Sequence, residues 1–140
     1  MRQKLNLITL GVDDFEKSVR FYETLGWKKS PSSVDGLALF PLGGITLALH
    51  PRHALAEDAL TSDASPRGFS GITISFNAKS QEEVDAVMNE AAAAGAKIIK
   101  PAQKVYWGGY SGYFADPSGH LIEVAHNPFW ELDAQDNLKL

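Results

Sequence analysis

Glu123 stands four residues after Gly119 of the turn Asp116-Pro117-Ser118-Gly119, on a run, Leu121–Ala125, that reads as a strand. A turn of that composition joins two antiparallel strands: Asp accepts from the backbone, Pro presets φ and Gly suits the exit. Tyr113 and Ser111 precede the turn at a spacing of two, which places both on one face of the first strand. A carboxylate in apolar surroundings has its charged form disfavoured, which suits general acid or base chemistry, and a phenol beside it donates to a carbonyl or oxyanion. Glu123 and Tyr113 are therefore the catalytic candidates. A carboxylate bonded to neighbouring hydroxyls such as Thr9, Thr73 or Tyr113 would instead be structural, and the residues leave both readings open.

The chain contains no cysteine and four histidines, which removes disulfides, thiolate nucleophiles and cysteine-based zinc sites. His50 and His53 flank Pro51-Arg52 at a strand exit, His120 sits on the closing turn and His126 comes just after the last strand. Each fits an ordinary polar surface position more readily than a ligand position. Val105-Tyr106-Trp107-Gly108-Gly109-Tyr110 reads as a loop carrying large aromatics, in which glycines allow close backbone approach and aromatics supply binding area. Trp107 either rims a ligand site or plugs the core.

The elements that must position these groups emerge from periodicity. Leu5–Val12 alternates with a period of two and predicts a strand. Asp13 and Glu16 resemble a capping box, Phe15, Val19 and Tyr22 recur at helical spacing, and Gly26 ends the helix. Strands are predicted at Trp27–Ser30, Leu37–Phe40 and Ile45–His50. The order then repeats: a strand over Gly71–Asn77, a Ser80/Glu83 capping box, a stripe of Val84, Val87, Met88 and Ala91, and Gly95 at the helix end. Further strands are predicted at Lys97–Lys100, Tyr110–Ala115 and Leu121–Ala125. Gly26-Trp27-Lys28 and Gly95-Ala96-Lys97 close the two helices alike. The pattern is an α+β fold of two tandem βαβββ modules, about 5–50 and 71–126, in a single domain. A tail covers 127–140, and the Pro-, Ala- and Ser-rich connection 51–70 is a plain linker or a lid.

With 140 residues, 44% hydrophobic and 21% charged, the chain has the balance of one folded domain. A net charge of −4 gives no footprint for nucleic acid or an anionic membrane. No signal peptide or membrane span is read, and a cytoplasmic location is the expectation.

The hairpin Tyr110–Val124 with its Glu123, together with the opening Leu10–Trp27, resembles the vicinal-oxygen-chelate superfamily of glyoxalases, bleomycin resistance proteins and extradiol dioxygenases. The resemblance spans roughly Leu5 to Pro128. It implies a curved mixed sheet around a cavity in which residues of the first, fourth, fifth and eighth strands hold a divalent metal. The matching residues are Leu7, Ala48, Thr73 and Glu123, of which only Glu123 is an ordinary ligand. Strand parity puts the same Glu on the side away from the helices, with Thr9, Thr73, Ser75, His50 and Ser111. Zinc ordinarily takes three protein ligands, so the expectation is a small-molecule binder without the full metal site. Its ligand contacts would be Thr9, Thr73, Ser75, Trp107, Ser111 and His50. No cofactor is expected, with a divalent metal on Glu123, paired with His50, as the open alternative. The competing reading is a lyase, isomerase or dioxygenase using Glu123 with a non-standard metal site or metal-free acid–base chemistry. A homodimer is expected by analogy.

Overall fold

In the computed structural model the described residues are 1–63 and 68–139, so part of the 51–70 connection lies outside them. They form two compact units, Met1–Ser70 and Gly71–Leu140. No helix among the described residues is long and apolar enough to cross a membrane.

The first unit runs β1 (Leu7–Val12), α1 (Phe15–Thr24), β2 (Ala38–Pro41), β3 (Thr46–Pro51) and α2 (Arg52–Asp58). Its three strands form a mixed sheet of order β1-β3-β2, with β1 parallel and β2 antiparallel to β3. Register aligns Ile8, Leu47 and Phe40 in one row and Leu10, Leu49 and Ala38 in another. These rows face α1, whose Tyr22 ring lies 5.9 Å from that of Phe40. Both rings are buried, and burying a side chain of this size contributes about 1.5–3 kcal/mol. The cap of α1 is Asp14 rather than Asp13, its carboxylate accepting from the Lys17 amide at 2.9 Å. Asp13 instead accepts from Arg52 Nε at 3.0 Å.

Three stretches depart from the sequence reading. Trp27–Ser30 is not a strand; its Ser30 amide donates to Leu39 O at 2.7 Å, while the Trp27 ring packs 5.1 Å from Tyr22. Aromatic packing holds this segment in place of a ladder, so the first module has one strand fewer. The 51–70 connection contains α2, whose first residue crosses β1 so closely that a Cβ on Gly11 would lie 3.2 Å from Arg52 Cα. The 127–140 tail holds a short hairpin, β8 (Glu131–Leu132) and β9 (Leu138–Lys139), turned around Asp133.

The second unit contains β4 (Ile74–Asn77), α3 (Gln81–Ala93), β5 (Lys97–Lys104), β6 (Tyr110–Ala115) and β7 (Leu121–His126), ahead of that hairpin. Its main sheet has the order β4-β7-β6-β5, with β4 and β7 parallel and the other pairs antiparallel. Ser80 caps α3 by accepting from Glu83 N, and the reciprocal bond reaches one residue further back, Lys79 N donating to Glu83 Oε2. Gly26 and Gly95 both take positive φ after their helices, and Trp27 N→Tyr22 O and Ala96 N→Ala91 O close matching Schellman turns. The repeated Gly-apolar-Lys signature therefore marks one physical device used twice.

Candidate functional site

The site is built on the face of the second sheet that α3 leaves free. On the covered face, Phe114, Ile122 and Val124 are buried, and a Cβ at Gly112 would lie 2.8 Å from Cε of Met88 on α3. Strand alternation then puts Tyr113 and Glu123 on the opposite side. Register makes them part of one row across all four strands: Ser75 pairs with Glu123, Glu123 with Tyr113, and Tyr113 with Lys100. A second row beside it joins Asn77, Ala125, Ser111 and Gln103.

Lys100 reaches this face because β5 is irregular. Its pairing with β6 shifts between Ile98 and Lys100 and again between Lys100 and Gln103. Each shift inserts a residue and inverts the parity of the strand beyond it. Lys97, Lys100 and Gln103, three apart, consequently oppose Ala115, Tyr113 and Ser111, all on the Tyr113 side. Pro101 sits inside the irregular stretch, where a missing N–H is tolerated. The bulged backbone comes close to β6: a Cβ on Gly112 would meet Lys100 O and Ala102 N at 3.0 Å.

The row is in contact along its length. Ser75 Oγ donates to Glu123 Oε2 at 3.0 Å. Burial first, and then donation of its hydroxyl to the Glu123 carboxylate, raise the Tyr113 phenol above the ordinary tyrosine value. The phenol thus stays a proton donor at any physiological pH. Lys100 Nζ lies 5.6 Å from the centre of the Tyr113 ring, in cation–π range. Glu123 is half-buried, and its neighbours are hydroxyls rather than the apolar wall anticipated from sequence. Chemically the row offers a carboxylate acceptor, a protonated phenol, a small hydroxyl and an ammonium.

The other sequence candidates are spread over both units. Thr73 is exposed and precedes β4, and Ser111 is buried in the second row. Thr9 pairs with Ala48, and Leu7 with Thr46, on the face of the first sheet away from α1. His50, beside Gly11 in that register, donates from Nδ1 to Gly36 O at 2.7 Å. Trp107 is folded onto its own loop: a Cβ on Gly109 would lie 1.7 Å from the indole, and Gly108 with φ +92° has the Phe129 ring against it. Sequence reading missed Lys100; Pro101, directly after the predicted strand Lys97–Lys100, is the local sign that the ladder is interrupted there. A cleft of about 380 Å³ lies elsewhere in this unit, lined by residues that include Ala78, Lys79, His126 and Trp130 and by none of the row. The contacts between functional groups are at the row, and the candidate site is placed there.

Of the positions that the family resemblance assigns to a metal, only Glu123 carries an ordinary donor. Leu7 and Ala48 have no donor atom and Thr73 is not an ordinary ligand. Among the described residues no three histidines or carboxylates come together as a metal requires.

Comparison with known proteins covers nearly the whole chain. The model of the Glyoxalase/Bleomycin resistance protein/Dioxygenase superfamily matches residues 4–124. The metallothiol transferase FosB of Shouchella clausii is 30% identical over 122 residues, 86% of this chain and 77% of that protein. A glyoxalase-related enzyme from Fulvimarina pelagi has a TM-score of 0.88 at 33% identity, covering 99% of this chain and 98% of the other. A lactoylglutathione lyase from Agrobacterium tumefaciens, with a TM-score of 0.66 at 22% identity over 93% of this chain and 98% of its own, shares the fold.

Proposed function

The chain belongs to the glyoxalase/bleomycin resistance protein/dioxygenase superfamily, and from that premise we propose that it binds a small organic molecule through the row Ser75–Glu123–Tyr113–Lys100 without a full metal centre. The observation that carries this reading is the contact between Glu123 and the hydroxyls of Ser75 and Tyr113, at the one usual ligand position that retains a carboxylate. A carboxylate engaged by hydroxyl donors is pre-oriented, and an incoming hydroxyl, amide or carbonyl exchanges one of those hydrogen bonds for its own. Ser111, Thr73 and Trp107, which lie in the same unit as the row, are further proposed contacts. The relatives named metallothiol transferases make thiol conjugates a class to include among the ligands tried. A homodimer and a cytoplasmic location belong to the same proposal.

A second reading has one observation in its favour. The Tyr113 phenol, held protonated beside a carboxylate, is the donor half of a metal-free acid–base pair, with Glu123 as the acceptor half. In that reading the protein is a lyase or isomerase. Slow turnover of a bound ketone, abolished in both Glu123→Gln and Tyr113→Phe, separates it from simple binding.

The test is a thermal-shift and calorimetric screen of small ketones, thiol conjugates and aromatic drugs. Hits on the wild-type protein should weaken at least tenfold in Glu123→Gln and in Tyr113→Phe. Hits indifferent to both substitutions, or no hits in any class, overturn the proposal.

A further inference from the structure

We infer that the Lys100 end of this row selects a small organic anion, a carboxylate or sulfonate, over its neutral counterpart. The inference rests on the proposed binding row and adds the charge of the ligand to it. An unbroken β5 would alternate faces, so that Lys97 and Lys100, three apart, would point to opposite sides of the sheet. The two register shifts instead put Lys97, Lys100 and Gln103 all opposite residues of the Tyr113 face. These side chains carry hydrogen-bond donors, two of them cationic, and they line the same face as the phenol.

Charge separation along the row gives the direction. Glu123 and Lys100 are on β7 and β5, with Tyr113 on β6 between them. At about 4.8 Å per strand, the carboxylate and the lysine backbone stand roughly 10 Å apart. Glu123 already receives donors from Ser75 and Tyr113. A ligand anion is therefore repelled at the β7 end and attracted at the β5 end. The ammonium is held near the ring of Tyr113 rather than free in solvent, which lowers the entropy lost when it meets an anion.

Lysine on an edge strand also discourages unwanted strand pairing, and β5 is an edge strand. That role needs only an exposed lysine. Lys104 supplies one from the other face, opposite Tyr110, whose hydroxyl bonds Asp85 of α3. Edge protection does not explain why Lys100 is brought over the phenol.

The experiment is a titration of the full chain with matched probes, benzoate against benzamide and benzenesulfonate against benzenesulfonamide, monitored by amide NMR shifts at the row and by calorimetry. The wild-type protein should bind the anions at least tenfold more tightly, with a preference that falls as salt rises. Lys100→Met should bring the ratio to within twofold of unity, and Lys100→Arg should retain most of it. Equal binding of anion and amide to wild type, or an undiminished preference in Lys100→Met, overturns the inference. Should both probes bind at the row with equal affinity and weaken in Glu123→Gln, the selectivity falls while the binding row stands. If no probe shifts the row resonances, the anion preference falls, and the binding row falls with it only when the screen of ketones, thiol conjugates and aromatic drugs is also empty.

Discussion

Gly112→Ala tests the geometry on which the site depends. The new methyl would stand 2.8 Å from Met88 Cε, 3.0 Å from Ala102 N and 3.0 Å from Lys100 O. The methionine terminus can swing aside, but the other two atoms belong to the bulged backbone of β5. Relief therefore requires β5 to move away from β6, and overpacking of this kind costs typically about 1–3 kcal/mol. At about 3–5 °C per kcal/mol for a chain of this size, the thermal midpoint falls by roughly 3–15 °C. The same movement lifts Lys100 from Tyr113, so any anion preference falls with stability. Differential scanning calorimetry gives the first effect and probe titration the second. Met88→Ala in the Gly112→Ala background should recover only a minor part of the loss, because two of the three close contacts remain. An unchanged midpoint in Gly112→Ala, or complete rescue by Met88→Ala, would refute the claim that the bulged backbone is packed against Gly112.

Other consequences are equally direct. Asp14→Ala and Ser80→Ala each remove a side-chain cap from a helix N-terminus and should each cost about 1 kcal/mol by denaturant unfolding, whereas Asp13→Ala should leave α1 capped. Gly109→Ala cannot coexist with the present indole position, so Trp107 should leave the loop, with a red-shifted fluorescence maximum that the wild type lacks. Tyr113 has a folded pKa raised above 10.0 by burial and by the Glu123 bond. The folded chain then keeps a proton that the unfolded chain has lost, and this stabilisation is complete below about pH 10 and disappears as pH rises through the folded value. Absorbance titration at alkaline pH should show this late phenol moving earlier in Glu123→Gln and vanishing in Tyr113→Phe; a profile unchanged by Glu123→Gln contradicts the contact.

Much of the scaffold was legible because local chemistry and tertiary packing agree in it. Tyr110–Ala115 forms a strand as its alternation predicts, and Asp116 closes the hairpin by accepting from the amides of Ser118 and His120. Both Gly-ended helices stop where the sequence ends them. The misread parts are those where a distant partner decides. Trp27–Ser30 has a strand-like look, yet its indole is claimed by Tyr22 and Phe40. In α2, Pro51 and the Ala- and Ser-rich tail beyond suggested a linker, while Ala54, Leu55, Ala56 and Glu57 favour a helix. Asp13 is the cap that the sequence reading chose, but Arg52, far along the chain, takes Asp13 and Asp14 caps α1 instead.

The site shows the same division. Placement of Glu123, Tyr113 and Ser75 on one face comes from strand parity and was readable, but the hydroxyl that joins Tyr113 at the carboxylate is Ser75 and not the Thr9 or Thr73 expected from sequence. Lys100 was not, because parity counting assumes an uninterrupted ladder and β5 breaks it twice. The isolation of Glu123 was legible only through the family resemblance, which supplies the ligand positions at which Leu7, Ala48 and Thr73 bring no ordinary donor.

Everything proposed for the row depends on that isolation, and calorimetric titration of the full, chelator-treated chain with Mn²⁺ and Zn²⁺ probes it without an intermediate step. The expected result is no saturable one-to-one binding in the micromolar range, and the same flat titration in Glu123→Gln. A stoichiometric, micromolar or tighter site that disappears in Glu123→Gln would contradict the metal-poor reading.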